Sequence, residues 1–597
     1  MERNQIDKKH KWDLSVIYAN EEAFYKDFSD VEEKIAAFPK HETEMLTSAQ
    51  ALYSAISDMT DIENKIDKLW SYTFLAFSVD TSDNKSQALN SKVRSLAANA
   101  DSKTWFVCPF ILRLDSETLD KWFAEYPALE TFRRKIEKIT KEKPHTLSDE
   151  CEALMSKLGD VFGAESNVRS IFANSDLKFG KIRNEEGKLV QLTDANYVTY
   201  LMSSDRRVRR AAFTTVYKVY EQFGNTFATM YDATVRESCT LAKIRGFDDA
   251  LTASTFKDEV TPEIYNNLIN AVNAGLEPLY DYYELKREIL GLDKLHLYDI
   301  YTPLIGSLNR TYSYDEAVNE VLDTVKIYGD EYYNTLKEGL TERGWVDVYP
   351  TKGKRSGAFS GGCPATEPYI LLNYTDTFND VSTLAHEAGH SMHSWFSIKY
   401  NEAHNSHYTI FVAEVASTVN ELLLAHKKLR ECESNEEKLY ILNQLMETYK
   451  GTLYRQTMFA EFEKDMHELS ESGEPLTAST VNERYYKLVR RYFGKGVVCD
   501  RQIAFEWMRI PHFYRNFYVY KYATCISAAS AIVKRIETEG ESYVSKYIDF
   551  LKCGGAKTPL DSLLVAGIDM RDPSVVQGAI DDFASAVSEF RRIYKGE

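Results

Sequence analysis

The sequence predicts a mainly α-helical protein with one small β-sheet, and three observations support this fold class. Glycine (27) and proline (14) together supply only about 7% of the 597 residues, against about 12% in an average protein, so helix-breaking residues are scarce. Apolar residues recur at intervals of three and four along most of the chain, which is the helical period. Only residues 345–374 combine β-forming side chains with clustered glycine and proline, which predicts two or three short strands.

Net charge and cysteine content indicate which partners and which cellular compartment to expect. The chain carries 72 basic and 90 acidic residues, for a net charge of −18. Because an acidic surface repels phosphate backbones, we expect no nucleic acid partner. The eight cysteines are scattered without a CxxC pair, which is typical of reduced thiols in the cytoplasm. The charged start and the lack of an apolar run of about 18 residues predict a cytoplasmic protein with neither an export signal nor a membrane span.

The elements before the sheet follow in order along the chain. Residues 21–140 predict successive amphipathic helices, because apolar residues recur there with the helical period. A β-hairpin is expected near 176–193, with its turn at 184–187. Helical periodicity then resumes, and we predict an N-terminal helical domain over 1–193 and a second domain over 194–597.

The clearest chemistry lies in the predicted helix 380–397. Its apolar residues fall on one face, and His386 and His390 lie one turn apart on the opposite face. Two imidazoles at this spacing can bind one zinc ion at about 2.0–2.1 Å, and Glu387 beside them can accept a proton from a water on that ion. This is the HExxH pattern, which chance would produce on the order of 0.02 times in this chain. The alternative is a helix with surface histidines and an unrelated glutamate.

A catalytic zinc site needs a third protein ligand and one open position. The spacing HExxHxxGxxH is absent, because His393 and Phe396 stand where that pattern requires glycine and histidine. The next predicted helix, 408–426, is mostly apolar but carries Glu414 and Glu421 on one face. The spacing favours Glu414 as the ligand and Glu421 as an acceptor for a ligand histidine, and the reverse order stays open. His393 is expected to be structural or to support a ligand.

Several motifs resemble the thimet oligopeptidase family of zinc peptidases, and most closely its bacterial branch, oligoendopeptidase F. They are KWDLSVIY, SGGCPATEPYILLNYTDTFNDVSTLAHEAGH, FVAEVAST and RIPHFYRNFYVYKYATC, and the resemblance covers nearly the whole chain. It implies a two-lobed, mainly α, zincin-like peptidase with a small β-sheet beside the HExxH helix and a deep central cleft. It also implies one zinc ion per chain, bound by His386, His390 and Glu414, with Glu387 as the general base.

The family places a histidine and several tyrosines from a late helix where they stabilise the tetrahedral intermediate. The candidates here lie in a predicted helix over 512–533, and they are His512, Tyr514, Tyr518, Tyr520 and Tyr522. Spacing by four places Tyr514, Tyr518 and Tyr522 in one stripe on that helix, and phenols can donate hydrogen bonds to an oxyanion. The alternative is an aromatic core stripe, and which tyrosines face the metal stays open.

A strand expected over 368–374 lies just before the predicted zinc helix. The family binds the substrate backbone along such an edge strand, which offers unpaired N–H and C=O groups. Glycines beside the strand would let a peptide approach closely. The residues expected to contact the peptide are Gly361, Gly362, Tyr369, Leu371 and Asn373. A plain core strand is the alternative.

The expected function is that of a zinc-dependent endopeptidase that hydrolyses internal bonds of short unstructured peptides. One alternative is a zinc carboxypeptidase with a similar helical body, which would release single C-terminal residues. A second alternative is an inactive peptide-binding protein, which the intact Glu387 disfavours. Short peptides are the expected partners, and the oligomeric state is open.

Overall fold

The computed structural model describes residues 2–159, 161–306 and 310–597, and the chain packs into two compact units. Unit 1 consists of Met1–Pro144, Arg310–Leu424 and Ile532–Ile568, and unit 2 consists of His145–Asn309, Ala425–Ala531 and Asp569–Glu597. Each unit is therefore assembled from three separate stretches of sequence. The division predicted between residues 193 and 194 falls inside unit 2. It stays a prediction about folding domains, whereas the packing follows the two discontinuous units.

The first stretch of unit 1 is a layer of helices, as predicted for 21–140. The longest, α3, begins after Ser48, whose side chain accepts a hydrogen bond from the Ala51 N–H, and it buries Leu52 and Ile56 in the core. The described helices of this stretch are α1 (Glu21–Ala37), α2 (His41–Glu44), α3 (Ala49–Val79), α4 (Asn84–Thr104), α5 (Val107–Arg113), α6 (Ser116–Glu125) and α7 (Arg133–Lys141).

The first stretch of unit 2 contains the predicted hairpin and a series of helices. Strands β1 and β2 pair antiparallel, and Gly187 at the turn has φ +76° and donates to the carbonyl of Asn184 at 3.0 Å. The hairpin is therefore confirmed. The elements are α8 (Asp149–Leu158), α9 (Ala164–Ile171), β1 (Lys181–Arg183), β2 (Leu189–Gln191), α10 (Asp194–Leu201), α11 (Arg206–Gln222), α12 (Gly224–Ile244), α13 (Ala250–Lys257), α14 (Pro262–Ala274), α15 (Glu277–Ile289) and β3 (Leu295–His296).

The second stretch of unit 1 holds the small sheet and two long helices, and the residues of the second helix after Leu424 are assigned to unit 2. The elements are α16 (Tyr314–Val325), α17 (Asp330–Thr341), β4 (Val346–Asp347), β5 (Phe359–Gly361), β6 (Tyr369–Leu371), α18 (Phe378–Tyr400) and α19 (Ile410–Glu431). Helix α18 starts with a capping box, in which Thr377 accepts from the Asp380 N–H at 3.3 Å and Asp380 accepts from the Thr377 N–H at 3.0 Å. The small sheet predicted over 345–374 is confirmed.

The strand order corrects one prediction. The order is β4-β6-β5, so β6 is the middle strand, parallel to β4 and antiparallel to β5. The prediction that 368–374 forms an edge strand is therefore wrong, because both of its ladders are occupied. Tyr369 and Leu371 are 0% exposed and belong to the core of unit 1. Strand β5 supplies the edge instead.

The remaining stretches correct a second prediction. The helix expected over 512–533 begins only at Tyr520, and a short 3₁₀ helix, Pro511–Tyr514, precedes it. Between them Phe517 has φ +54°, which a right-handed helix cannot contain. The elements are α20 (Asn435–Tyr449), α21 (Arg455–Glu471), α22 (Ala478–Phe493), β7 (Val497–Val498), α23 (Tyr520–Glu539), α24 (Glu541–Leu551), α25 (Pro559–Val565) and α26 (Ser574–Lys595).

The mainly α-helical fold class is confirmed by these elements, which comprise short strands and many helices. The third small pairing joins β3 and β7 in parallel. None of the described helices combines the length and the apolar character that crossing a bilayer requires.

Candidate metal centre and active site

Helices α18 and α19 bring three predicted ligands together in unit 1. The Nε2 atoms of His386 and His390 are 3.1 Å apart, and Glu414 Oε2 lies 3.3 Å from each of them. In a tetrahedral zinc site with bonds of about 2.0–2.1 Å, neighbouring ligand atoms are about 3.3 Å apart. The three atoms therefore match one face of such a tetrahedron and leave a fourth position for water or substrate. Among the described residues, this is the one group of its kind.

The ionisation of the cluster favours a bound cation. Burial alone would lower the pKa of His386, but Glu421 and Glu414 outweigh burial and raise this pKa well above its ordinary value. Burial would raise the pKa of Glu414, yet the hydrogen bonds and charges of His386 and His390 hold it far below its ordinary value. The carboxylates thus stabilise positive charge between the imidazoles, where a divalent metal ion can replace the protons.

Glu421 orients the first histidine. Its Oε2 atom lies 3.2 Å from His386 Nδ1, and its other oxygen accepts from the Ser382 hydroxyl at 3.4 Å. A carboxylate at Nδ1 keeps the hydrogen on that nitrogen, so the lone pair of Nε2 points into the cluster. This is the arrangement expected of Glu421 from its spacing.

Glu387 occupies the flank of the same helix face. Its side chain is 5% exposed, and its Oε2 atom has no hydrogen-bond partner within the described residues. Burial is the main cause that raises the pKa of Glu387, and the neighbouring histidines act in the opposite direction. A buried carboxylate oxygen without a partner beside a metal-ligand cluster has the position that a general base requires.

Two residues that sequence reasoning missed hold α18 and α19 together. A Cβ on Gly389 would lie 2.6 Å from the Ala416 carbonyl oxygen, so only glycine permits this close approach of the helices. Asn420 donates from its amide to the Ala385 carbonyl at 3.2 Å, and Tyr328 donates to its oxygen at 3.2 Å. A glycine inside a helix and a buried asparagine on an apolar helix were the available signals.

His393 does not join the cluster. Its ring stacks on Tyr408 with centroids 3.8 Å apart and packs near Phe550 at 5.2 Å. Burial lowers the pKa of His393 to about 3, so the ring is neutral. Its Nδ1 atom has no hydrogen-bond partner in the described part of the chain. These contacts favour the structural alternative over support of a metal ligand.

The predicted substrate-binding residues divide between an exposed edge and the core. Gly361 ends β5, whose described backbone hydrogen bonds go to β6 on one side only. Ser360 in β5 contacts Ser391 of α18 through their hydroxyls at 2.8 Å, which places this edge beside the zinc-helix candidate. Gly362 lies in a tight turn, because a Cβ there would be 2.6 Å from the Glu367 carbonyl oxygen.

The other three residues predicted to contact the peptide have structural partners. Tyr369 and Leu371 are buried in the middle strand. The Asn373 amide donates to the carbonyls of Arg355 and Gly357 at 3.0 and 2.8 Å, which holds the loop before β5. Of the five residues, only Gly361 therefore belongs to the free edge. Gly362 lies in the turn that follows β5, and the other three support the sheet.

A cluster of three rings forms in unit 2. The centroid of His512 lies 6.1 Å from Tyr518 and 6.2 Å from Tyr522, and the two tyrosine rings are 5.5 Å apart. Burial lowers the pKa of His512, and the charges of Arg515 and Arg169 act in the same direction. The imidazole is therefore neutral near pH 7 and can donate or accept a hydrogen bond.

Tyr514 lies outside this cluster, which corrects the predicted stripe. Its ring packs on Tyr231 at 6.0 Å, and the Arg169 guanidinium lies 5.7 Å from its centroid. Arg169 is buried and donates to the carbonyl of Arg509 at 2.7 Å. The spacing by four does not align the tyrosines, because Tyr514 ends a 3₁₀ helix and Tyr522 lies in the first turn of α23.

A buried carboxyl group fixes the bend between these tyrosines. Glu463 is 0% exposed, and its Oε1 atom accepts from the Phe517 N–H at 3.0 Å. Phe517 holds the left-handed conformation, which is unusual for an aromatic residue. Burial raises the pKa of Glu463 well above its ordinary value. The sequence offers no local signal for this contact, because the partners are far apart along the chain.

Comparison with known families now supplies the class of protein. The sequence model described as "Peptidase family M3" matches residues 199–581, and that described as "Oligopeptidase F" matches residues 111–179. The chain belongs to peptidase family M3, and it is a metalloendopeptidase of the oligoendopeptidase F type. The resemblance expected from the motifs is therefore confirmed.

Relatives and solved structures cover nearly the whole chain. The "Oligopeptidase PepF" of Bacillus subtilis is 40% identical over 592 residues, which is 99% of this chain and 88% of the relative. The putative peptidase of Chlamydophila abortus superposes with a TM-score of 0.91 at 33% identity, covering 99% of both chains. The oligoendopeptidase-F of Enterococcus faecium superposes with a TM-score of 0.77 at 32% identity, covering 97% of this chain and 100% of its own.

Proposed function

We propose that this chain is a zinc-dependent endopeptidase that cleaves internal bonds of short unstructured peptides, with Glu387 as the general base. The observation that carries the proposal is the geometry on α18 and α19. Three ligand atoms lie 3.1–3.3 Å apart, next to a buried carboxylate oxygen without a partner in the described chain. This arrangement suits one tetrahedral ion with an open position.

The residues divide the chemistry between them. His386, His390 and Glu414 would hold the ion, and zinc bound there would polarise the scissile carbonyl and lower the pKa of the attacking water. Glu387 accepts the proton of that water and then passes it to the leaving amine. Glu421 keeps His386 in the tautomer that presents Nε2 to the ion.

The substrate backbone pairs with the free edge of β5. The contact between Ser360 and Ser391 fixes this strand against the HExxH helix. Gly361 has no Cβ, so an added strand can approach it closely. In this assignment β5, and not the strand 368–374, binds the substrate backbone. Gly361 and Gly362 remain candidates for substrate binding.

His512, Tyr518 and Tyr522 serve as donors to the tetrahedral intermediate. A neutral imidazole and a phenol can each donate to an oxyanion, and the three rings lie together in unit 2. Tyr514 is left out of this role, because its ring packs on Tyr231 and its hydroxyl is buried.

The decisive experiment replaces Glu387 with glutamine. Glu387→Gln should leave zinc content unchanged and lower kcat by about 10²–10⁴-fold, because the side chain keeps its shape and loses its basicity. An exposed glutamate on α19, Glu431, provides the matched control, and Glu431→Gln should retain full activity. A zinc-loaded Glu387→Gln protein with normal turnover would overturn the proposal.

Product mapping separates the endopeptidase from the carboxypeptidase alternative. An internally quenched peptide of about 10 residues with an amidated C-terminus should be cut at internal bonds, and a folded protein should remain intact. Release of single C-terminal residues, together with failure on the amidated peptide, would favour the carboxypeptidase. Stoichiometric binding of the intact peptide without cleavage would favour an inactive peptide-binding protein.

A further inference from the structure

A cavity in unit 2 has the properties of a small-molecule site. Its volume is about 310 Å³, which falls in the range of ligand pockets. The walls come from α15, α20, α21 and α22, from residues 300–301 and from the turn between α20 and α21. They include the aromatic rings of Tyr283, Tyr301, Tyr454 and Phe493. None of these residues has a role in the peptidase chemistry proposed above.

The backbone beside the cavity is unusual. Between α20 and α21, Lys450–Tyr454 forms a π-helical turn, a rare conformation that often occurs at functional sites. Lys450 and Gly451 of this turn line the cavity. A Cβ built on Gly451 would meet no atom within 4 Å, so this glycine faces open space.

The charged residues that line the cavity are Glu447, Lys450 and Arg455. Together with two residues outside the lining they form an ion-pair network that contains more cations than carboxylates. Lys286 is completely buried and lies 3.4 Å from Glu447, which also forms an ion pair with Lys450. Arg455 pairs with Glu506 at 2.8 Å. Three cations thus share two carboxylates, and a third negative group would balance them.

The buried lysine of this network also has a shifted pKa. Burial is the main cause that lowers the pKa of Lys286 to about 8, and Glu447 only partly offsets it. Lys450 and Glu447 both line the cavity, so an anion placed there would act directly on this network. The rest of the bound anion would contact aromatic and aliphatic side chains such as Tyr283 and Leu279.

We propose that this cavity binds a small organic monoanion, in which one carboxylate is attached to an apolar or aromatic group. The carboxylate would lie at Lys450, and the apolar group would pack among the aromatic rings. The site is additional to the peptidase centre, and its occupancy can be measured by binding alone. Failure of the peptidase proposal would therefore leave this one standing, and the reverse also holds.

Calorimetric titration of the full, zinc-loaded chain with 3-phenylpropionate tests the proposal. The neutral 3-phenylpropionamide has the same shape and should bind about tenfold more weakly or worse, because it lacks the charge-assisted contact. Phenethylamine, which carries a cation, should not bind. Equal affinity of the carboxylate and the amide, or absence of carboxylate binding, would overturn the assignment.

Two variants place the ligand in this cavity. Gly451→Leu should fill the open space and abolish binding, whereas Gly578→Leu is the matched control, since an added Cβ on that α26 glycine also meets nothing within 4 Å. Lys450→Met should weaken carboxylate binding about tenfold and leave amide binding unchanged. Should Gly451→Leu fail to fold, Lys450→Met decides. Unchanged carboxylate affinity in a folded variant would contradict the proposal.

Discussion

The metal cluster of unit 1 and the ring cluster of unit 2 are built in opposite ways. His386, His390 and Glu414 lie on two regular helices, where the helical period fixes which side chains share a face. Tyr518 lies instead in an irregular segment whose direction depends on Phe517 in the left-handed region. In the metal cluster, local geometry fixes the face on which each side chain lies, and the packing of α18 on α19 brings the two faces together. In the ring cluster, even the direction of the backbone depends on a remote contact. Sequence spacing can therefore locate the candidate metal ligands, but it cannot locate the candidate oxyanion donors.

Among the tests of this contrast, removal of the metal ion should have the largest effect. Chelation should abolish peptide hydrolysis, and zinc readdition should restore it. An ion present at 1,000 times its Kd adds about 4 kcal/mol to the free energy of unfolding, so the chelated protein should also unfold at lower temperature. Activity assays and thermal unfolding curves check both effects, with calcium readdition as the control. Full activity after complete metal removal would contradict the metal cluster.

Tyrosine substitutions test the irregular cluster. Tyr518→Phe or Tyr522→Phe should lower kcat by about 10²–10³-fold without changing zinc content, because an oxyanion donor is lost. Tyr514→Phe is the matched control and should change kcat little, since its ring packs away from the other two on Tyr231. Steady-state kinetics with metal analysis measure this. If Tyr514→Phe lowered kcat as much as Tyr518→Phe, the result would support the predicted stripe of tyrosines.

Substitution of Glu421, the carboxylate that orients His386, tests the metal cluster on the two helices. Glu421→Gln should weaken metal affinity by about 10–100-fold, because His386 loses the acceptor that fixes its tautomer. Competition with a zinc-sensitive dye measures the affinity. Glu431→Gln on the same helix, at an exposed position, should leave it unchanged. Equal affinities for both variants would show that Glu421 does not support the ligand.

The close approach of α18 and α19 gives a smaller effect. Gly389→Ala should destabilise the protein by about 1–3 kcal/mol, because its Cβ would lie 2.6 Å from the Ala416 carbonyl oxygen. Gly578→Ala, in the open space of α26, should instead be neutral or stabilising by up to about 1 kcal/mol. Thermal unfolding of both variants provides the measurement. Destabilisation of equal size at both positions would contradict the packing argument.

The smallest expected effect is a pH dependence at Glu463. Its pKa is raised in the folded state, so its contribution is fully present below the ordinary value of about 4.3 and declines as pH rises toward the folded value. Glu463→Gln keeps an acceptor for Phe517 and removes this titration. From pH 5 to 7 the variant should gain stability relative to the parent, by at most about 1.4 kcal/mol per pH unit.

Urea unfolding midpoints of the parent and of Glu463→Gln at several pH values test this sign. Lys521 and Asp258 form a largely buried ion pair near the same segment at 2.7 Å. Asp258→Asn serves as a control that should not remove the slope. Parallel stability profiles for the parent and Glu463→Gln would show that the buried carboxyl does not titrate in this range.

Local sequence patterns were sufficient to predict the regular parts of this protein. Helical periodicity, the hairpin turn and the HExxH spacing each depend on residues a few positions apart, where covalent geometry fixes the direction of the side chains. That is why His386, His390, Glu387 and Glu414 could be named from spacing and resemblance. The same rule places Glu421 on the face of α19 that carries Glu414, and the packing of α19 on α18 then brings Glu421 against His386.

Features whose partners are distant in sequence could be found only in the folded chain. The position of β6 between β4 and β5 depends on a parallel pairing with residues about 24 positions earlier, and no local period reports strand order. The left-handed Phe517 depends on Glu463, 54 positions away. Local spacing sets which face a side chain occupies, and contacts between distant residues set what that face meets.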